Sequence, residues 1–237
     1  FLRSLAFNVC FTGWALLASV IFAPLFIISA GAAQMSGRPW AAGCLFLAKH
    51  ILGLTYEIRG QKYLTYQPVI YASKHQSAWD TIIFLILFRS PAYVLKRELL
   101  HIPGWGWYLW RMRMIAIDRT GGSASVKQMI RQAKEALGDR RPIIIYPEGT
   151  RTRPGAEPRY HPGTAALYSM LHVPVIPVAL NSGCFWGKNA FQKKPGKVII
   201  EFLPPIEPGM DRDEFNRTLQ TAIETASLKL LTEAQEK

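Results

Sequence analysis

His75 and Asp80 are the residues of this chain best suited to chemistry on a hydroxyl group. They stand five positions apart in the run Lys74-His75-Gln76-Ser77-Ala78-Trp79-Asp80. A histidine held by a carboxylate is a general base of fixed tautomer. About seventy residues later comes Tyr146-Pro147-Glu148-Gly149-Thr150-Arg151. Arg151 offers a planar fork for phosphate oxygens. Gly149 allows a tight turn or close approach of the backbone to a ligand, and Glu148 can hold a substrate hydroxyl or orient the arginine. A base, an orienting acid and an anion-binding arginine are the parts that drive a hydroxyl onto an activated acyl group beside a phosphate.

Spacing constrains how the pair could meet. Within one regular helix, five residues turn the two side chains about 140° apart. They meet only if His75 lies in the loop after a buried strand and Ser77 caps the following helix, so that the carboxylate curls back to one imidazole nitrogen. The other nitrogen then faces substrate, which itself supplies the hydroxyl. The competing reading leaves Asp80 serving only the helix N-terminus and His75 as a polar loop residue. Arg119, closing Ile115-Ala116-Ile117-Asp118-Arg119, is a second phosphate ligand or half of a strand-end ion pair. Lys96 adds positive charge to the same pocket or is a snorkelling surface lysine. His50, His101, His161 and His172 lack metal-ligand spacing and read as structural. Cys10, Cys44 and Cys184 form no CxxC pair, which suggests neither a zinc site nor a disulfide framework and favours a reduced, cytosol-facing protein.

The elements that must position these residues alternate between β and α character. Short β-rich runs fall at 56–59, 69–73, 92–95, 114–117, 142–146, 175–180 and 197–202. Helical patterns run from Ser77 to about residue 88, from Ser123 to 137, after Gly163, and from 211 to about 230. The run at 142–146 is almost wholly apolar, as expected of a strand covered on both faces. The fold class is α/β, a largely parallel sheet flanked by helices. Both reactive segments follow strands, where such folds carry their sites.

The first fifty residues differ. Residues 5–33 carry no charged side chain and are long enough to span a bilayer. A signal peptide, one spanning helix, and two half-length helices that dip in and return at Pro24 are the three readings. The stretch 40–54 reads as an interfacial amphipathic helix or an ordinary core helix. Trp105, Trp107 and Trp110 are core packing or a membrane-facing patch. The expected division is 1–54 membrane-associated helices and 55–237 an α/β domain. The net charge of +12 is scattered among aromatics, which suits anionic lipid better than nucleic acid.

These residues carry a family likeness. His75 to Asp80 resembles the HxxxxD box of the glycerolipid acyltransferases. Ile115 to Arg119, Tyr146 to Arg151 and Val173 to Pro177 resemble that family's next three blocks, in order and spacing, over roughly 56–202. The likeness is greatest to the bacterial 1-acyl-glycerol-3-phosphate acyltransferases. It implies a glycerol-phosphate-acyltransferase-like fold with a two-helix N-terminal membrane anchor, the third of the readings above. It implies acyl transfer from acyl-CoA or acyl-carrier protein to the 2-hydroxyl of lysophosphatidate, giving phosphatidate, with no metal, no cofactor and no covalent acyl-enzyme. His75 is then the general base and Asp80 its partner. Glu148, Gly149 and Arg151 bind the acceptor, and Arg119 helps hold its phosphate. The expected location is the cytoplasmic face of the inner membrane, among lysophosphatidate and anionic phospholipid. Two positions depart from the pattern: Arg113 stands where glycine usually opens the second block, and Tyr146 replaces phenylalanine. Another lyso-lipid acceptor, such as lyso-ornithine lipid, is the alternative substrate. A non-catalytic lipid-binding protein is the alternative of another class.

Overall fold

The computed structural model describes residues 1–65, 67–118 and 121–236. The helices are α1 (Leu2–Ile28), α2 (Ala30–Met35), α3 (Gly37–Leu47), α4 (Trp79–Leu87), α5 (Trp105–Arg111), α6 (Gly122–Gly138), α7 (Gly163–Leu171) and α8 (Arg212–Gln235). The strands are β1 (Leu54–Arg59), β2 (Ile70–Ser73), β3 (Ala92–Lys96), β4 (Ile115–Ile117), β5 (Ile143–Ile145), β6 (Val175–Leu180) and β7 (Gly196–Phe202). They form one sheet in the order β1-β7-β6-β2-β5-β3-β4. Every pairing is parallel except β6 with β7, which is antiparallel.

Side-chain alternation explains the layers. Successive strand residues point to opposite faces. Tyr71 and Ile144 therefore join one core with Ala41, Cys44, Ile83 and Phe84 from α3 and α4. Ile70, Ala72, Ile143 and Ile145 join the other, with Met129 of α6, Leu167 of α7 and Phe215 of α8. Phe215, Leu219, Ile223 and Leu230 recur at helical spacing on α8 and are fully buried. Each contributes about 1.5–3 kcal/mol of apolar burial. Asp211 starts that helix by accepting from the backbone N–H groups of Asp213 and Glu214. Ser123, expected as the cap of α6, is already inside that helix. Gly121 is at the cap position and gives no side-chain bond.

The N-terminal segment is arranged differently from the expected pair of half-length helices. α1 runs unbroken through Pro24 for 27 residues, and the chain turns only at Ser29. Contacts with the domain hold α1 along its length. Lys193 donates its backbone N–H to Ser4 Oγ (3.0 Å) and its ammonium to Asn8 (2.7 Å). Trp14 donates to the Trp40 carbonyl midway (2.9 Å), and Tyr108 to that of Ser19 (2.6 Å). Arg111 donates to the carbonyls of Phe26 and Ile27 at the far end, satisfying groups that a helix end leaves open. Among the described residues α1 is the one helix long and apolar enough to cross a bilayer. Leu16, Val20, Ile27 and Ile28 on its outer face are exposed, as are Trp105, Trp107 and Trp110 nearby. The three tryptophans are thus surface residues and not core.

Candidate active site

The loop between β2 and α4 carries the reactive pair. His75 lies outside the helix, and α4 begins at Trp79 with Ala78 at the cap position. The chain curls so that His75 Nδ1 stands 3.0 Å from Asp80 Oδ2. The same oxygen accepts the backbone N–H groups of Gln76 (2.7 Å) and Ser77 (2.8 Å). Asp80 Oδ1 accepts the Ser182 hydroxyl (2.5 Å). This carboxylate is fully buried and every bond to it comes from a donor, so it fixes the proton on Nδ1. Nε2 is left as the acceptor. The imidazole stacks on Tyr146, centroids 4.0 Å apart, and the Tyr146 hydroxyl donates to the Asp80 carbonyl (3.1 Å). Burial, reinforced by Tyr93 and Asp80, holds that phenol's pKa well above its ordinary range, so it remains a donor.

Glu148 does not lie where a substrate contact was expected. It is 2% exposed and is absent from the lining of the adjoining cavity. Its Oε1 accepts from Lys74 Nζ (2.8 Å) and Thr152 Oγ1 (2.9 Å), and its Oε2 from the His75 backbone N–H (3.3 Å). Lys74 Nζ also reaches both oxygens of Glu224 on α8 (2.9 and 2.8 Å), and Tyr160 donates to Glu224 (2.9 Å). The backbone N–H of Thr152 donates to the His75 carbonyl (2.8 Å). Glu148 therefore ties the two loops together from behind. Lys74, Thr152, Tyr160, Ser182 and Glu224 escaped the sequence reading. A lysine at the end of an otherwise apolar buried strand was the one available signal, because Ser182 and Glu224 are more than a hundred residues from their partners.

In front of His75 opens a cavity of about 800 Å³. Its walls include Lys96, Gly149 and Arg151, and the apolar residues Phe22, Trp40, Leu85 and Leu109. Gly149 sits at φ 62°, in the left-handed region that glycine tolerates best, and closes a turn onto the Tyr146 carbonyl. Arg151 is half-buried and donates to Asn189 (3.3 Å). Asp118 lines the same cavity, while Arg119 lies outside the described residues. His161, expected to be structural, also lines it, as does Thr164 at the start of α7. That helix has no side-chain cap, and the Thr164 hydroxyl is buried without a hydrogen-bond partner.

A base held by a buried carboxylate, at the mouth of an apolar cavity that also carries cations, defines a class of hydroxyl-activating, lipid-handling site. Residues 55–181 match the Acyltransferase family model, and the chain belongs to that family. Over 167 residues it is 36% identical to 1-acyl-sn-glycerol-3-phosphate acyltransferase of Pseudomonas aeruginosa, covering 70% of this chain and 65% of that protein. The enzyme of the same name from Limnanthes douglasii is 29% identical over 66% of this chain and 56% of its own length. The mouse enzyme of that name, alpha form, is 26% identical over 83% and 70%. The chain thus spans somewhat under two thirds of the first of these relatives. The crystal structure of the 1-acyl-sn-glycerophosphate (LPA) acyltransferase from Thermotoga maritima shares the fold, with a TM-score of 0.77. It is 19% identical and covers 97% of this chain and 96% of its own.

Proposed function

We propose that this protein transfers a fatty acyl group from a thioester to the 2-hydroxyl of 1-acyl-glycerol-3-phosphate, giving phosphatidate. The observation that carries this reading is the His75–Asp80 contact at the mouth of a cavity with apolar walls and cationic Lys96 and Arg151. The acyl chains lie along the walls contributed by α1, α3 and α5. Arg151, Lys96 and Arg119 take the phosphate. The open start of α7, with the Thr164 hydroxyl, adds donors to the same cavity. Gly149 lets the backbone approach the acceptor, and Glu148 positions the loops without touching it.

The step follows from the tautomer. Nε2 of His75 removes the proton of the 2-hydroxyl as that oxygen attacks the thioester carbonyl. The carbon–sulfur bond then breaks, and the imidazolium, steadied by Asp80, protonates the departing thiolate. General base assistance of this kind is worth ~10²–10⁴ in rate, and holding both lipids in one cavity supplies much of the remainder. The donor is acyl-CoA or acyl-carrier protein. The exposed apolar face of α1 and the three tryptophans beside it support a seat on a membrane, which we assign to the cytoplasmic side of the inner membrane, where acceptor and product would both reside.

Detergent-purified protein given acyl-CoA or acyl-carrier protein, with lysophosphatidate or lyso-ornithine lipid as acceptor, tests the assignment by mass spectrometry of the product. Phosphatidate as the dominant product is expected. Faster acylation of the phosphate-free acceptor would reject lysophosphatidate as the substrate.

A further inference from the structure

A second cavity of about 450 Å³ lies at the junction of α1 and α2. Ala30, Gly31 and Gln34 line one side of it, and Arg89, Arg113, Asp139, Arg140 and Arg141 the other. Four arginines and one carboxylate thus line it. Asp139 is taken by Arg113 (2.8 Å). Among the described residues, the side chains of Arg89 and Arg140 make no hydrogen bond or ion pair.

Two of these arginines occupy positions that favour glycine. Arg113 and Arg140 both have φ 55°. Each follows a helix end of the same construction. Arg113 N bonds the Trp110 carbonyl and Met114 N that of Leu109; Arg140 N bonds the Leu137 carbonyl and Arg141 N that of Ala136. In this termination the left-handed residue is usually glycine, because a side chain there is strained. The helix dipole favours a cation near a helix C-terminus, yet a lysine or arginine within the last turn would serve it without strain. Two strained arginines, from α5 and from α6, converge on one cavity. Unfavourable backbone held at a shared site points to a role for the side chains.

Arg141 makes the arrangement rigid. Its buried guanidinium donates to the carbonyls of Ser90, Pro91, Met112 and Arg113, joining the turns that bear Arg89 and Arg113. Burial, and then the neighbouring Arg113 charge, lowers its pKa to about 10. Like charges are thus crowded without enough protein carboxylate, a situation that a bound anion relieves. The position of the cavity says which anion. Ala30 and Gly31 come just after the turn at Ser29, which follows Ile27 and Ile28, the exposed apolar end of α1. A group entering here comes from the interface at which α1 lies.

We infer that this cavity binds the phosphate of an anionic phospholipid headgroup, at a site distinct from the catalytic cavity. Arg89, Arg113 and Arg140 are its ligands and Arg141 its brace. The test is the unfolding midpoint of the full-length protein in detergent, titrated with dihexanoyl phosphatidylglycerol, dihexanoyl phosphatidylcholine or inorganic phosphate. The proteins compared are wild type, the triple variant Arg89→Gln/Arg113→Gly/Arg140→Gly, and Arg113→Gly alone. Phosphatidylglycerol raises the wild-type midpoint, and the triple variant needs about a hundredfold more of it for the same rise. Phosphatidylcholine and inorganic phosphate leave the midpoint unchanged. Arg113→Gly retains or raises the midpoint without lipid, since glycine suits φ 55°, and shows an intermediate loss of response. It carries the test if the triple variant does not fold. Equal responses in wild type and variants, or no response of wild type to phosphatidylglycerol, would overturn the inference. An equal response to inorganic phosphate would make this a free-anion site and overturn the lipid assignment.

Discussion

The surroundings of His75 and those of the cationic residues lining the same cavity are built on opposite plans. Behind His75, every polar group is spoken for. Asp80 receives four donors, Glu148 receives three, and Lys74 lies between two carboxylates, all at or near complete burial. Elsewhere in the cavity lining, Lys96 is exposed, and Arg151 has one 3.3 Å bond to a surface asparagine. Thr164, with a buried hydroxyl, has no partner. Under the proposed function, the difference separates two tasks. A base must be oriented before substrate arrives, so its surroundings are satisfied by protein. A phosphate binder must hold donors in reserve, so its surroundings are not.

This contrast can be broken from either side. The largest loss of activity short of removing the base itself is expected from Asp80→Asn. The amide has one oxygen in place of two for the Ser182, Gln76, Ser77 and His75 donors, so the Nδ1 proton is no longer fixed. Turnover should fall by ~10²–10⁴ with the acceptor KM nearly unchanged, as steady-state kinetics would record. Lys74→Met should act on stability. It strands Glu148 and Glu224 without their shared cation, at a cost of about 3–5 kcal/mol. Chemical denaturation measures this; an unaltered midpoint would mean that the buried cluster does not hold the loops. On the open side, Arg151→Ala removes a charge-assisted contact worth about 1.5–3 kcal/mol. It should raise KM for lysophosphatidate roughly tenfold to a hundredfold and leave a phosphate-free acceptor unaffected.

Tyr146→Phe is the smallest expected change. The stack on His75 survives, and one hydrogen bond worth about 0.5–1.5 kcal/mol is lost. Its signature is alkaline. Burial raises the Tyr146 pKa in the folded state, so above pH of about 10 the unfolded chain sheds a proton that the fold retains. The stabilisation by the neutral phenol is complete below that pH and declines as pH rises, by up to about 1.4 kcal/mol per unit. Denaturation midpoints at pH 9 to 11 should fall less steeply in Tyr146→Phe than in wild type.

The legibility of these regions in the sequence followed the range of their interactions. The His75–Asp80 meeting was readable because both residues belong to one loop and helix start, where a five-residue spacing restricts the geometry. The strands of the sheet were readable because 69–73 and 142–146 are short apolar runs that must be covered on both faces. The buried ties of Glu148 were not readable, because its partner Lys74 is 74 residues away and Glu224, which shares that lysine, lies on the last helix. Pro24 suggested a break in the N-terminal helix. There α1 stays continuous, and Tyr108 and Arg111 of α5 bond its carbonyls on either side of Pro24, contacts that local sequence does not express. The αL conformation of Arg113 likewise gives a physical reason for glycine as the usual residue at that place, and only coordinates reveal the cavity it shares with Arg140.

Release of free thiol from the acyl thioester by the detergent-purified protein is the most direct test of the central claim that His75 activates the acceptor hydroxyl. It is followed with and without lysophosphatidate, for wild type and His75→Ala. Release by wild type that depends on the acceptor and falls by ~10²–10⁴ in a folded His75→Ala protein is the predicted result. Acceptor-dependent release that persists in His75→Ala at near wild-type rate would contradict it.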